Sequence, residues 1–146
     1  MTDTTIIPTT APTPAPTGVL ARGTALAVGS GLVVNALLFA AGAAGAPTRV
    51  VTGAAPDGAD LTFAAVAVST VLASLVGSLA LWLVEKARPG SFRAWALLAA
   101  TVAAVSIPPV LRLDIDAASA LTLAAMHLAV GATTITAHAW SRRPTS

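Results

Sequence analysis

The sequence predicts an all-α fold: an antiparallel four-helix transmembrane bundle with its N and C termini cytoplasmic. Three observations carry that prediction. Gly23–Ala46, Leu61–Val84, Ala94–Leu111 and Ala117–Trp140 are long stretches almost free of charge. Each is close to the roughly 20 apolar residues that cross a hydrocarbon core of about 30 Å as a helix. Charged residues make up only 10% of the 146 and hydrophobic residues 55%, where a soluble domain carries about 25% charge. A chain this short has nothing with which to bury four helices apolar on every side. The basic residues, finally, lie between the stretches and at their ends. Lipid offers backbone groups no partner, so a single apolar segment crosses it only as a helix.

Taken in order, residues 1–18 are rich in Thr and Pro, with Ile6 and Ile7 as their bulky apolar groups. They bury too little surface to offset their ordering entropy and are read as a disordered cytoplasmic tail. No positive charge precedes Arg22, so the tail is not a secretory n-region. Ala41-Gly42-Ala43 and Ala44-Gly45-Ala46 resemble signal-peptidase sites, but the apolar run before them exceeds the usual about 7–15 residues, and retention as a span is expected. The membrane domain is expected over 19–143, with helices at about 20–45, 61–85, 92–110 and 117–140, and a short tail over 144–146.

Each boundary has a local cause. Asp60 and Asp116 are expected to cap the second and fourth helices, with a turn at Asp57-Gly58 before the second. Pro89-Gly90-Ser91 breaks the chain, and Ser91 is placed to cap the third helix. Pro108 and Pro109 remove two amide donors, so the third helix should kink or end near Ile107. Leu111 to Asp116 alternates apolar and polar residues, the period of a half-buried strand. Arg49-Val50-Val51-Thr52 offers it a pairing partner, and a small outer cap is expected there.

With the N-terminus inside, Arg22, Lys86, Arg88, Arg93, Arg142 and Arg143 are cytoplasmic, and Arg49 and Arg112 lie outside. That asymmetry satisfies the positive-inside rule. Trp82, Trp95 and Trp140 all fall near inner helix ends and read as an aromatic belt. A net charge of +2 without a basic stripe gives no nucleic-acid footprint. Cysteine is absent, which removes disulfides, thiolate metal sites and cysteine nucleophiles together.

In the last stretch, Ala120-Leu121-Thr122-Leu123-Ala124-Ala125-Met126-His127-Leu128-Ala129-Val130-Gly131 resembles the A-L-x-x-x-x-M-H-L-x-x-G signature of a family of small four-span membrane proteins from high-GC bacteria, a domain of unknown function. The resemblance extends to the variable tail, the basic inner loop and the Arg-bearing C-terminus, and covers roughly Val19 to Arg143. It implies the four-span fold and brings no established activity, cofactor or catalytic residue.

The interruptions inside the spans are the candidate functional positions. His127 falls near the middle of the fourth span, where an ionisable side chain is expensive and tends to face the bundle interior or a cavity. With Gly131, Thr134 and His138 it lies on one helical face. It reads either as a proton-linked or ligand-contacting group or, by preference, as a neutral packing histidine, since interhelical polar contacts are common glue of about 1 kcal/mol. Asn35, at similar depth in the first span, is expected to hydrogen-bond His127 directly or through a water. Ala27, Gly31 and Asn35 recur every fourth residue, as do Thr70, Ser74 and Ser78. Small residues at this spacing let helix backbones approach closely. His127, Asn35, Thr134 and Ser74 form the candidate midplane polar site.

Several chemistries are set aside. His127 and His138 lie about 16 Å apart along one helix and cannot share a haem iron. With no carboxylate or cysteine expected in the hydrocarbon core, there is no metal set and no carboxylate for antiport. Glu85, Lys86, Arg88 and Arg93 are placed at the inner surface as orienting charges, near anionic lipid. No cofactor and no catalytic residue is expected, and the chain does not read as an enzyme. The leading reading is an uncharacterised structural or accessory multi-pass protein of the bacterial plasma membrane. Its partners would be the lipid bilayer and a second copy or another membrane protein, with no nucleic acid. The alternative is a small transporter or ligand-binding membrane protein using His127 and Asn35. A midplane pocket exposing both residues discriminates in favour of the alternative; a dry core with the two bonded to each other favours the first.

Overall fold

The computed structural model describes residues 17–44, 48–52 and 55–143, with the backbone alone for those between 51 and 58. The elements are α1 (Thr17–Ala43), β1 (Arg49–Thr52), β2 (Ala55–Asp60), α2 (Phe63–Ala87), α3 (Phe92–Val105), α4 (Ile107–Leu111) and α5 (Ala117–Ser141). Four helices are long and apolar enough to cross a membrane: α1, α2, α3 continued by α4, and α5. Leu37, Val68, Leu72, Val76, Leu97 and Val102 are exposed on them, as side chains facing lipid tails would be. The tails expected at 1–18 and 144–146 lie outside the described residues, except that Thr17 and Gly18 belong to the first turn of α1.

Side chains along lipid-facing helices gain little from leaving an equally apolar solvent, so association rests on close packing and polar contacts. The buried residues of α1 are Gly23, Ala27, Gly31 and Asn35, one every fourth position. Two glycines of this helix sit against α5. A Cβ on Gly23 would run into the imidazole of His138, and one on Gly42 would come within 2.8 Å of the Thr122 side chain. Start meets end in both pairs, so α1 and α5 run in opposite directions. A Cβ on Gly31 would lie 3.1 Å from Thr70 of α2 and 3.4 Å from Thr133 of α5, so the strip is shared by both neighbours. Thr70, Ser74 and Ser78 are the matching buried small residues of α2.

The third span breaks where its prolines require. α3 ends at Val105, Ser106 turns, and α4 restarts with Pro108 and Pro109 in its first turn, where a missing amide hydrogen costs nothing. At the other break, Gly90 takes a positive φ of 79°, a conformation open to glycine without steric cost. Ser91 occupies the cap position of α3 but makes no side-chain capping bond.

At the end of the bundle away from the termini, β1 pairs with β2 in an antiparallel hairpin, with Arg49 opposite Asp60. The expected partner of β1, Leu111 to Asp116, is not a strand. Its amides are used in turns, Arg112 and Leu113 donating to the carbonyls of Pro109 and Val110, and Ile115 to that of Leu113. A neighbouring segment supplies β1 with a partner at far smaller loop entropy. Asp57-Gly58 is strand rather than turn, and Thr62 rather than Asp60 caps α2, its hydroxyl accepting from the Ala65 amide. Asp116 does cap α5, accepting from the amide of Ser119 at 2.9 Å and its hydroxyl at 2.6 Å. The Ser119 hydroxyl in turn accepts from the Arg49 amide at 2.9 Å and so ties the hairpin to α5.

Gly23→Ala is expected to lower stability by about 1–3 kcal/mol, the range for overpacking a close contact. Gly29→Ala, whose Cβ would meet nothing within 4 Å, is expected to be neutral or stabilising; unfolding in mixed micelles compares the two. The hydroxyl and amide of Ser119 hold the Asp116 carboxyl below its ordinary value of 3.8. Folding therefore favours the charged form, and this contribution is complete above that value and lost as pH falls through the folded-state value. Acid unfolding below pH 3.8 should accordingly be shallower in Asp116→Asn than in the parent chain.

Candidate functional site

A groove of about 680 Å³ runs between α2 and α3, floored by α5 and, at Asn35, by α1. Its volume falls within the roughly 300–1,000 Å³ of small-molecule sites. Its walls include Val76, Leu98 and Val102, which are also exposed on the outer surface, so the groove opens sideways to lipid. The lining is mostly aliphatic. Asn35, Ser69, Thr70, Ser106, His127 and Thr134 are its polar interruptions, and the small side chains of Ala73 and Ala99 on opposite walls leave its width. Gly131 closes the floor: a Cβ there would come 2.8 Å from that of Ala103 on α3.

The hydrogen atoms at this site can be assigned from the partners. The Thr70 hydroxyl donates to the Val66 carbonyl at 2.7 Å, so its oxygen can only accept from Asn35, 2.7 Å away. The Asn35 NH₂ must therefore point at Thr70, which leaves its Oδ1 buried and without a partner among the described residues. His127 Nδ1 lies 2.7 Å from the Leu123 carbonyl. A carbonyl can only accept, so Nδ1 carries the proton and Nε2 of the neutral ring is a bare acceptor. The direct form of the expected Asn35–His127 bond is not made, because each side chain finds a nearer partner, Asn35 on α2 and His127 within its own helix.

The two residues nevertheless share a level. Gly77 packs on Thr134 and Glu85 pairs with Arg142. Both pairs have the same separation in sequence, so α2 and α5 run side by side in register, and that register sets Thr70 level with His127. Asn35 is some 12 Å below the end of α1 at 1.5 Å per residue. Of the other candidates, Thr134 is buried in the groove floor and Ser74 is buried behind the wall without lining it, each hydroxyl without a partner among the described residues.

A second polar cluster lies at the end carrying the termini. His138 is completely buried. The Ser78 hydroxyl donates to the Ser74 carbonyl at 2.8 Å, so His138 Nε2–H donates to Ser78 at 2.9 Å. Trp95 stands edge-on to the imidazole, 5.6 Å between centroids, and its indole N–H donates to the Gly77 carbonyl of α2 at 3.1 Å. Trp95 is thus a core residue, while Trp82 and Trp140 are exposed as a belt requires and carry Lys86 and Arg22 over their rings. Glu85 is not a surface charge either. Its side chain is 3% exposed, with Arg142 Nη1 2.8 Å from its carboxylate. The contact is an ion pair without hydrogen-bond alignment, and Arg142 is steadied by stacking 4.6 Å above the Phe92 ring. The signal in sequence was the α2 stripe itself: Thr70, Ser74, Ser78 and Leu81 continue at helical spacing to Glu85.

The chain matches a protein-family model over residues 15–144. It belongs to a family of unknown function, DUF6069. Searches of the curated proteins and of the solved structures gave no significant match. Membership of DUF6069 thus spans all four helices and assigns none of the groove residues a role.

Removing one half of the ion pair should be worse than removing both. Arg142→Met leaves a buried carboxylate without its cation and is expected to cost about 3–5 kcal/mol. Adding Glu85→Gln to it should recover most of that loss, as read by thermal unfolding in micelles.

Proposed function

We propose that this DUF6069 protein is a non-enzymatic binding protein of the plasma membrane of a high-GC bacterium, and that it takes an apolar ligand sideways from the bilayer into the groove between α2 and α3. In this reading the four spans form an antiparallel bundle with both termini cytoplasmic, in keeping with the basic residues gathered at that end. The observation that carries it is the groove itself, at the depth of the span centres, with Asn35 and His127 in its lining. A packed structural protein would have filled that space, because in lipid the close contact of helices is the source of their cohesion. The buried ion pair and the Ser78–His138 contact serve the scaffold and leave the groove unexplained.

The ligand comes from the bilayer because the groove walls are continuous with the lipid-facing surface. Two narrowing substitutions test this, Ala73→Phe on α2 and Ala99→Phe on α3. Native mass spectrometry of protein extracted gently from membranes should show a retained small apolar adduct in the parent chain and its loss in both variants. A Trp82→Phe/Trp140→Phe background leaves Trp95 as the reporter beside the groove. Its fluorescence should be quenched by a bromine-labelled hydrocarbon in the parent chain and not in the narrowed variants. Equal quenching in all three would refute the reading.

A further inference from the structure

Resting on the groove as a ligand site, we infer that its occupant carries a hydroxyl head whose single proton is donated to one of two acceptors at this level, Asn35 Oδ1 or His127 Nε2. The lining is not neutral in its polar chemistry. Asn35 Oδ1 is left as a buried acceptor because its amide nitrogen is claimed by a Thr70 oxygen whose own proton is already given to Val66. Asn35 is 3% exposed, lines the groove, and its Oδ1 has no partner among the described residues. His127 presents a second acceptor, since Nδ1 spends the ring's proton on the Leu123 carbonyl. Both stand at one level, set by the register of α2 against α5. A buried acceptor without a donor costs free energy comparable to a lost hydrogen bond, so the level asks for a donor.

That requirement separates candidate occupants. A phospholipid acyl chain offers hydrocarbon alone at this depth, the exposed mid-span hydroxyls Ser30 and Thr101 of a second copy already donate to their own helix carbonyls, and ester carbonyls are themselves acceptors. Quaternary or primary ammonium heads donate or attract, but they belong at the membrane surface, and a lone charge some 12 Å below the helix end is expensive. A hydroxyl is the uncharged group that donates without ionising. The hydrocarbon body would then lie along the aliphatic walls between Val66, Ala73, Leu98 and Val102.

The test uses pairs of probes that differ only in the donor: 1-hexadecanol against its methyl ether, and farnesol against its methyl ether. The straight and isoprenoid chains distinguish the two sources of such a head. Binding is measured on the intact protein in nanodiscs by displacement of the bromine-labelled hydrocarbon from Trp95 in the Trp82→Phe/Trp140→Phe background. The expected result is that at least one alcohol binds roughly tenfold tighter than its ether, about the worth of one good hydrogen bond. Whichever of Asn35→Leu and His127→Phe removes the acceptor that takes the proton should shrink that ratio, and the double substitution should abolish it, while ether binding persists, which also reports that the fold is intact. His127 is exposed, so its substitution serves if Asn35→Leu fails to fold. Alcohol and ether binding equally would overturn the hydroxyl assignment while leaving the groove a ligand site, with a water satisfying Asn35. Neither probe binding, with no quenching by the hydrocarbon, would overturn both.

Discussion

Gly23, Ala27, Gly31 and Asn35 give α1 a narrow strip on which α5 and α2 both pack, and much of the rest depends on how close that strip lets them come. At Gly23 the missing side chain is the space that the His138 ring occupies, and at Gly31 it is space taken by Thr70. Close approach has a polar consequence. Once helices touch at their backbones, short hydroxyl and amide side chains reach across, and in hydrocarbon each such bond substitutes for the water that is absent. Asn35 to Thr70 and His138 to Ser78 are both of this kind.

The third span is attached differently. α3 carries one buried residue, Trp95, where α1, α2 and α5 bury whole stripes. It meets α5 where Gly131 admits Ala103 and is pinned to α2 through the Trp95 indole. Elsewhere it stands off from α2, and the gap is the groove. The groove thus lies between α2 and a proline-interrupted span whose one buried residue in α3 is Trp95.

Much of this arrangement was legible in the residues. Four apolar runs set the four spans because no other backbone form survives alone in lipid. The double proline set the break at Ser106, and Asp116 set the start of α5. The hairpin was not legible, for a physical reason: alternation in Leu111 to Asp116 is a pattern of side chains, whereas pairing is decided by which amides are free, and turns had already taken them. Nor were the burial of Glu85 and of Trp95, because position near a helix end says nothing of which way the side chain faces.

By itself, then, the sequence determined the spans, their breaks and the small-residue faces, since those depend on local chemistry and helical period. It also marked Asn35 and His127 as side chains needing partners at one depth. Only the tertiary structure decided who those partners are, because hydrogen bonds between helices depend on relative rotation and register that no single helix encodes. It gave Asn35 to Thr70, gave His127 to its own helix, buried His138 against Gly23, and left the buried Asn35 Oδ1 without a partner among the described residues.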